Sequence, residues 1–566
     1  MQEITRLLFS IDKKLRLRFF VVFPLSIIKS FLDVFALGLI APFLAAVVSP
    51  EKIISNPYFD LTINKFGIDI SSESDLIVFM SIALISIFIF KGLYGLFVQH
   101  YANYFIFYGR ANFNGKLMKK YLSADWEFHK NNNSSYLDRN LRVVSQKAFA
   151  CLSYLLRAVI DFFFVIFAIA LLAYAEGQLV FMASMFFMAL LLIWYKISGP
   201  LLSRIGKQSV ALQGESAKII RENFDSIREI ITLKAENFFT EKYFDKEIKI
   251  AGIGRTEALF GLLPVAFIEI IAISMLAGAC VILVLSGLQL VEYIPILGLF
   301  ALVILRLLPI LLSLIRSIQH ITYEYPALKL INNQILELNK NYPLAVSNLD
   351  SKVSSLSFES LELANISFSF DDIEVLKDFS LHVKKGDIIG ICGPSGSGKS
   401  TILNLLLGLL KPGAGKLTFN GKPLQAHLHS WRDLISFVPQ EPILFDGTIR
   451  ENICFGSNEF SDEDIWAVLE IVKLDILIKT QRNGLDSMIG ERGSNFSGGQ
   501  KQRLSIARAL IRLPSVIFLD EFTSALDREV EKELLSDLFA IPNLTIVLVS
   551  HSLLVIDSCD QRIDLI

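Results

Sequence analysis

The sequence predicts a polytopic α-helical membrane domain followed by an α/β P-loop nucleotide-binding domain. Three observations predict it. Long apolar runs crowd roughly the first 320 residues, each at least as long as the ~20 residues a bilayer span needs. A strand-like run, 388–392, then leads into Gly393-Pro394-Ser395-Gly396-Ser397-Gly398-Lys399-Ser400, and 401–410 continues as a helix. A second apolar strand, 517–519, ends in Asp520 and Glu521. The expected boundaries are 1–340 for the membrane domain, 341–358 for a polar, Ser-rich linker, and 359–566 for the nucleotide-binding domain.

Composition bounds the rest. A chain of 566 residues is long enough for two or more domains. A formal net charge of −2 gives no reason to expect nucleic acid as a partner. The five cysteines form no C-x-x-C pair and read as packed or free thiols. The first apolar segment is too long for a signal-peptide core, so no cleavable signal is expected.

Six spans are expected, near 19–48, 76–108, 148–174, 178–202, 256–287 and 291–318. The connection 109–147 holds eight Lys/Arg and 203–255 holds ten, whereas the other connections are nearly free of them. By the positive-inside rule the two basic connections are cytoplasmic, and so are both termini. The nucleotide domain then also lies in the cytoplasm. Both basic connections carry helical spacing and read as long helices leaving the membrane, with turning points near 125–129 and 234–239. Aromatic residues at those tips, among them Trp126 and Phe238, read as docking knobs or as packing within the hairpin. The first outer loop, 49–75, is longer than a turn, and 57–66 fits either an interfacial helix or strand-like alternation.

Lys29, Asp33, Lys91, Asp161, Glu269 and Arg306 sit inside predicted spans, where charge is expensive and by default faces a partner or cavity. Lys29 and Asp33 are spaced to pair on one helix face. Counted from the outer ends of their spans, Lys91 and Arg306 lie at roughly 24 and 22 Å depth. They form either a candidate anion-binding pair or partners of Asp161, Glu269 or backbone carbonyls.

In the C-terminal part, backbone N–H groups of the Gly393–Ser400 loop and the following helix start are suited to phosphate. Lys399 would reach the β/γ-phosphates and the Ser400 hydroxyl would ligate Mg²⁺. Asp520 would hold Mg²⁺ and Glu521 would polarise the attacking water, unless the two carboxylates only cap the next helix. Asn495-Phe496-Ser497-Gly498-Gly499-Gln500 opens another helix. It reads as a second phosphate-binding end or as an ordinary N-cap by Ser497.

With these residues the chain resembles the ATP-binding cassette (ABC) transporter superfamily, over nearly its whole length. Phe496-Ser497-Gly498-Gly499-Gln500 resembles the family's LSGGQ signature. Gln440 resembles the Q-loop that touches Mg²⁺, Ser524-Ala525-Leu526-Asp527 the D-loop, and His551 the switch histidine. Phe370 stands where the family places an aromatic that stacks on adenine. The resemblance implies that Phe370 and the run from Gly393 through Thr401 bind ATP. It further implies that Ser400, Gln440 and Asp520 serve Mg²⁺, and that Glu521, His551 and Gln440 serve hydrolysis. Ser497, Gly498, Gly499, Gln500 and Asp527 would act on the ATP of a second copy, so a homodimer is implied. A membrane domain preceding one cassette implies an exporter-type half-transporter. One departure is Phe522, where the family usually has a small residue.

Within the superfamily the membrane half is similar to bacterial flippases of lipid-linked oligosaccharides, on 31–43, 126–137, the long outer loop, Lys91 and Arg306-Leu307-Leu308-Pro309. That resemblance implies a polyprenyl-pyrophosphate glycan as cargo, with Lys91 and Arg306 as candidate substrate contacts, in a bacterial inner membrane. A basic residue the family carries in its fifth span has no equivalent near Pro264. Export of another lipid, peptide or drug, and an ATP-gated membrane regulator, are the alternative readings.

Overall fold

The structure, a computed structural model, describes residues 2–48, 73–285, 290–341, 357–370, 373–523 and 525–565. Residues 49–72 of the first outer loop and nearly all of the expected linker lie outside these residues. The chain divides into two compact units near residue 345.

The N-terminal unit is helical: α1 (Gln2–Ser10), α2 (Lys13–Gly38), α3 (Ile40–Val48), α4 (Glu73–Leu122), α5 (Trp126–Asn131), α6 (Ser134–Arg139), a π-helical turn (Asn140–Val144), α7 (Ser145–Asp225), α8 (Ile227–Thr232), α9 (Glu236–Leu285) and α10 (Leu290–Asn341). Four stretches among the described residues are long and apolar enough to cross a membrane, at 13–38, 74–122, 134–171 and 236–271. The other two predicted spans fall in the second arm of α7 and in α10.

The helices pair as antiparallel hairpins, and hydrogen bonds fix their register. Tyr94 of α4 donates to the Leu25 carbonyl of α2 (3.3 Å), and Gln319 of α10 to the Phe260 carbonyl of α9 (2.8 Å). Helical backbone flanks the turn expected at 175–177 on both sides, with no separate loop between the two arms. Yet Lys147 Nζ donates to Ser209 Oγ at 3.0 Å, although 62 residues separate them. A straight helix would place those residues roughly 93 Å apart. Arg139 packs on Gly214 and Arg221 bonds Ser134 in the same register, so the chain folds back at about residue 177, as an antiparallel hairpin requires. Close packing of the second arm on α10 depends on Gly206, where a Cβ would lie 2.0 Å from the Tyr323 carbonyl oxygen.

The first basic tip is α5, as expected near 125–129. Trp126 is exposed, but Phe128 is 3% exposed and stacks on Tyr121, so only the former is available as a knob. The second tip differs from expectation. The arms paired by Ser216 and Glu247 (2.9 Å) meet at α8, Ile227–Thr232. Residues 234–239 already begin the return, after Lys234 takes a left-handed φ of 52°.

Inside the spans, Asp33 bridges two lysines, Lys29 at 3.2 Å and Lys91 at 3.5 Å. The partner of Lys91 is therefore neither Asp161 nor Glu269. Glu269 is exposed, and Asp161 Oδ2 is buried without a hydrogen bond. The Arg306 side chain lies outside the described residues, so its pairing with Lys91 is not among the contacts.

Beyond residue 318, where the last predicted span ends, Glu324 is half-buried, with its Oε2 buried and unbonded, 3.9 Å from Lys147 Nζ. The neighbouring His320 pairs with Glu257 at 3.3 Å and stacks on Tyr154. Burial pushes the Glu324 carboxyl up from 4.5 to about 7; Lys147 and His320 oppose the rise and Glu257 adds to it. A raised carboxyl keeps its proton when folded and loses it when unfolded. Its contribution is therefore fully present below pH 4.5 and is lost as pH climbs through about 7. Glu324→Gln, which keeps the neutral shape, is expected to gain on the order of 2 kcal/mol at about pH 8 and little at about pH 5. Thermal unfolding of the purified protein across that range reads the difference, and an unaltered pH profile in the variant would refute it.

The C-terminal unit holds two sheets. β1 (Ser360–Phe370), β2 (Ile373–Lys384), β4 (Ala414–Phe419) and β5 (Lys422–Pro423) form an antiparallel sheet in the order β2-β1-β4-β5. β3 (Ile388–Cys392), β6 (Ile435–Val438), β7 (Val516–Asp520), β8 (Thr545–Val549) and β9 (Gln561–Asp564) form a parallel sheet in the order β6-β7-β8-β3-β9. The central strands are apolar along their length because both faces are covered. On one face Phe518, Val547 and Ile391 pack with Ile402 and Leu406 of α11 (Lys399–Leu406) and with the antiparallel sheet. On the other, Leu519, Ile546 and Leu548 pack with Leu504 of α12 (Gly498–Leu510) and Leu534 of α13 (Arg528–Phe539).

Candidate functional site

The phosphate loop joins β3 to α11. Gly396 and Gly398 take left-handed φ of 87° and 92°, which side chains resist, and this turns the loop back on itself. At Gly393 the constraint is space: a Cβ would lie 2.7 Å from both Ser397 Oγ and the Leu565 carbonyl oxygen. Lys399 is 7% exposed and its Nζ donates to the Gly393 and Pro394 carbonyls, each at 2.8 Å, so the ammonium is held inside the loop. Ser397 Oγ is buried without a hydrogen-bond partner. Ser400 is exposed at the helix start, whereas Thr401 is buried against the core. Pro394 and Ser395 are exposed on the loop's outer side. Phe370 ends β1, opposite Ile373 of β2, and its ring meets Phe368 edge-on at 4.9 Å. Val375 of β2 borders Gly398, so the same hairpin flanks the phosphate loop.

Glu521 follows β7 directly, with a left-handed φ of 44° that is costly for a non-glycine residue. Its N–H donates to the Val549 carbonyl (2.9 Å), which fixes that conformation to the end of β8. Its carboxylate accepts a hydrogen bond from Gln440 Nε2 to Oε2 at 2.5 Å, and His551 Nε2 lies 2.9 Å from Oε1. Residues from the ends of three strands thus converge on one carboxylate. Helix capping does not explain that arrangement. Burial pushes the adjacent Asp520 carboxyl up, Glu521 adds to the rise, and Lys399 opposes it. Two carboxylates so placed suit a divalent cation, and Mg²⁺ typically takes one or two of them plus phosphate oxygens. The donor set therefore fits Mg-ATP: the loop N–H groups, Lys399 and the orphaned Ser397 hydroxyl toward phosphates, and Ser400, Gln440 and Asp520 toward the metal. The metal would supply neutralisation of phosphate charge.

Ser497 is the N-cap of α12. Its Oγ accepts from Gln500 N–H (3.3 Å) and Gln500 Oε1 accepts from Ser497 N–H (2.9 Å), a capping box. The cap reading is thus correct for these two side chains, and it leaves the Gly498 and Gly499 N–H groups at the helix start. The D-loop packs here, since a Cβ on Gly499 would lie 2.7 Å from the Ala525 carbonyl oxygen. Asp527 opens α13. Ser524 lies outside the described residues. Phe522, the departure noted in the sequence, is 1% exposed within the core of the α12 face.

Two supporting residues were not singled out in the sequence. Arg508 of α12 donates to the Ile443 and Asn452 carbonyls (2.9 and 2.8 Å), and Asn452 donates to the Phe445 carbonyl (2.9 Å). Together they tie the segment after Gln440 to the signature helix. No local pattern marks a half-buried arginine with backbone partners distant in sequence.

Comparison with known proteins agrees with this geometry. Residues 35–308 match the ABC transporter transmembrane region and residues 376–524 the ABC transporter family. Domains of the latter family use ATP with Mg²⁺. An uncharacterized ABC transporter ATP-binding protein, YwjA, of Bacillus subtilis is 39% identical over 229 residues, 40% of each chain. A multidrug resistance ABC transporter ATP-binding and permease protein of Lactococcus lactis is 38% identical over 210 residues, 36% of each. The matched stretch thus spans well under half the length of these relatives. The structure of a bacterial Atm1-family ABC exporter with ATP bound shares the fold, with a TM-score of 0.76 at 20% identity over 98% of this chain and 94% of that one.

Proposed function

We propose, on the premise that this chain is a member of the ABC transporter superfamily with one transmembrane region and one cassette, that it works as a homodimeric ATP-driven exporter. One observation carries this. The phosphate loop leads into α11 on one face of the parallel sheet, while the signature leads into α12 on the other. The two cannot close on one nucleotide within a chain, so each loop needs the signature of a second copy. Glu521, held by Gln440 and His551, then stands as the general base toward a water at the γ-phosphate. ATP binding draws the cassettes together, hydrolysis releases them, and the helices carrying α5 and α8 move with them. The two basic connections support a cassette and both termini on the cytoplasmic side of a bacterial inner membrane.

For cargo we infer a lipid-linked oligosaccharide, a polyprenyl-pyrophosphate glycan moved from the cytoplasmic to the periplasmic leaflet. What supports it is the pair of cations, Lys29 and Lys91, gathered on the Asp33 carboxylate within the spans at 3.2 and 3.5 Å. Ionisable side chains within spans by default mark a substrate path. Lys91→Gln removes one of these cations and leaves Lys29 and Asp33 paired. In reconstituted vesicles it is expected to slow translocation of a defined lipid-linked glycan about 10-fold or more, the loss of one charged contact, with basal ATP hydrolysis retained. Undiminished translocation would refute the anion role. Stimulation of hydrolysis by many unrelated apolar compounds, without movement of the glycolipid, would turn the reading toward a drug exporter.

A further inference from the structure

A cavity of about 370 Å³ lies within the helical unit where α1, α4 and α10 meet, outside the predicted spans. That is within the range of small-molecule sites. Three cations line it: Arg6, Lys116 and Lys120. Two are matched locally, Arg6 by Glu3 at 3.2 Å and Lys116 by Asp12 at 2.7 Å. Lys120 has no carboxylate partner among the described residues; its ammonium meets the Asn339 amide oxygen. Burial and the nearby Lys116 both push the Lys120 ammonium down, the signature of a cation short of an anion.

A second lining residue is also incomplete. Asn332 is 1% exposed, and its Nδ2 donates to the Glu3 backbone carbonyl (2.6 Å) and to Glu3 Oε2 (2.9 Å). Its Oδ1 is buried with no partner, although buried acceptors are nearly always paired. Apart from Ser10 and Asn339 the remaining wall is apolar, with Phe113 and Leu117 buried beneath it. The cavity thus presents an unmatched cation, an unmatched acceptor and an apolar wall. An anion satisfies the first, a hydroxyl the second and a hydrocarbon part the third.

We propose that this cavity is a binding site for a phosphate ester that carries a hydroxyl and an apolar part. The same chemistry belongs to the headgroup of an anionic phospholipid and to a soluble phosphate ester. Position favours the soluble source. Arg18 covers the Tyr104 ring at 4.0 Å, and aromatics of this kind sit at the membrane interface. Lys116 and Lys120 lie 12 to 16 residues further along α4, roughly 18–24 Å deeper into the cytoplasm. The site is independent of the ATP and cargo contacts proposed above.

The test uses the purified full chain and titration calorimetry with glycerol 3-phosphate, inorganic phosphate and short-chain phosphatidylglycerol, with phosphatidylcholine as control. The phosphate loop also takes phosphate. The cavity is therefore read as the binding retained in Lys399→Ala and lost in Lys120→Gln. Glycerol 3-phosphate is expected to bind Lys399→Ala, to weaken about 10-fold or more when Lys120→Gln is added, as for one charge-assisted bond, and to recover with Lys120→Arg. Tighter binding of glycerol 3-phosphate than of inorganic phosphate supports the role of Asn332. Binding by phosphatidylglycerol alone keeps the site and makes its source the lipid. No binding of any probe to Lys399→Ala, affinity unchanged by Lys120→Gln, or equal binding of phosphatidylcholine overturns the proposal.

Discussion

Glu521→Gln is expected to slow ATP hydrolysis by about 100-fold or more while leaving ATP binding intact, the usual scale for loss of a positioned general base. The substitution is nearly isosteric, so the backbone at φ 44° and the N–H bond to Val549 should persist. What changes is the acceptor pair. Gln440 Nε2 donates to one Glu521 oxygen at 2.5 Å, and His551 Nε2 faces the other at 2.9 Å. An amide keeps one oxygen and turns the other position into a donor facing a donor, and it has no basic site for a water proton. Nucleotide should therefore stay bound in the closed dimer. Single-turnover hydrolysis and retention of labelled ATP measure the two effects separately. Hydrolysis near the unmodified rate would remove Glu521 from the role of base. Loss of ATP binding would instead show that the carboxylate serves the architecture of the site.

The nucleotide half was legible because its chemistry is written locally. A phosphate loop needs glycines at fixed offsets and a strand and helix on either side, all within about 20 residues, and those requirements are met between Ile388 and Leu406. The meeting of Gln440, Glu521 and His551 is different in kind. Gln440 and Glu521 lie 81 residues apart and join only because β6 and β7 are neighbours in the sheet, an adjacency that no spacing encodes. The resemblance supplied it. In the membrane half, hydropathy pointed to long apolar helices, four of which are long and apolar enough to cross a membrane among the described residues, yet it could not find the partner of Lys91. Asp33 reaches Lys91 through the register of α2 against α4, and register depends on packing along the whole hairpin. The second basic tip was misplaced for a similar reason. Mixed charge continues across 227–239, and only the left-handed turn at Lys234 marks where the return begins. The cap reading of Ser497 and the ligand reading proved compatible, because the cap consumes side chains and leaves the glycine N–H groups.

Sites shared between two copies make a prediction that sites within one chain cannot. Lys399→Ala disables the phosphate loop, since it removes the ammonium now held by the Gly393 and Pro394 carbonyls. Gly499→Val disables the signature start, because even a Cβ there meets the Ala525 carbonyl oxygen at 2.7 Å. Combine a Lys399→Ala copy with a Gly499→Val copy. If each nucleotide lies between the loop of one chain and the signature of the other, both lesions fall in the same site and the second site is whole. Place both substitutions on one copy beside an unmodified partner, and each of the two sites carries one lesion. The split pair should therefore retain about one ATP per dimer and the one-copy double variant almost none, a difference of an order of magnitude or more in trapped nucleotide for a lost charged phosphate contact. Sites built within single chains would reverse this result. The split pair would then trap nothing, and the double variant would keep the intact site of its partner. Nucleotide trapping in dimers purified by two different affinity tags separates these outcomes. The measurement needs no knowledge of the cargo, so it tests the motor apart from what the motor moves.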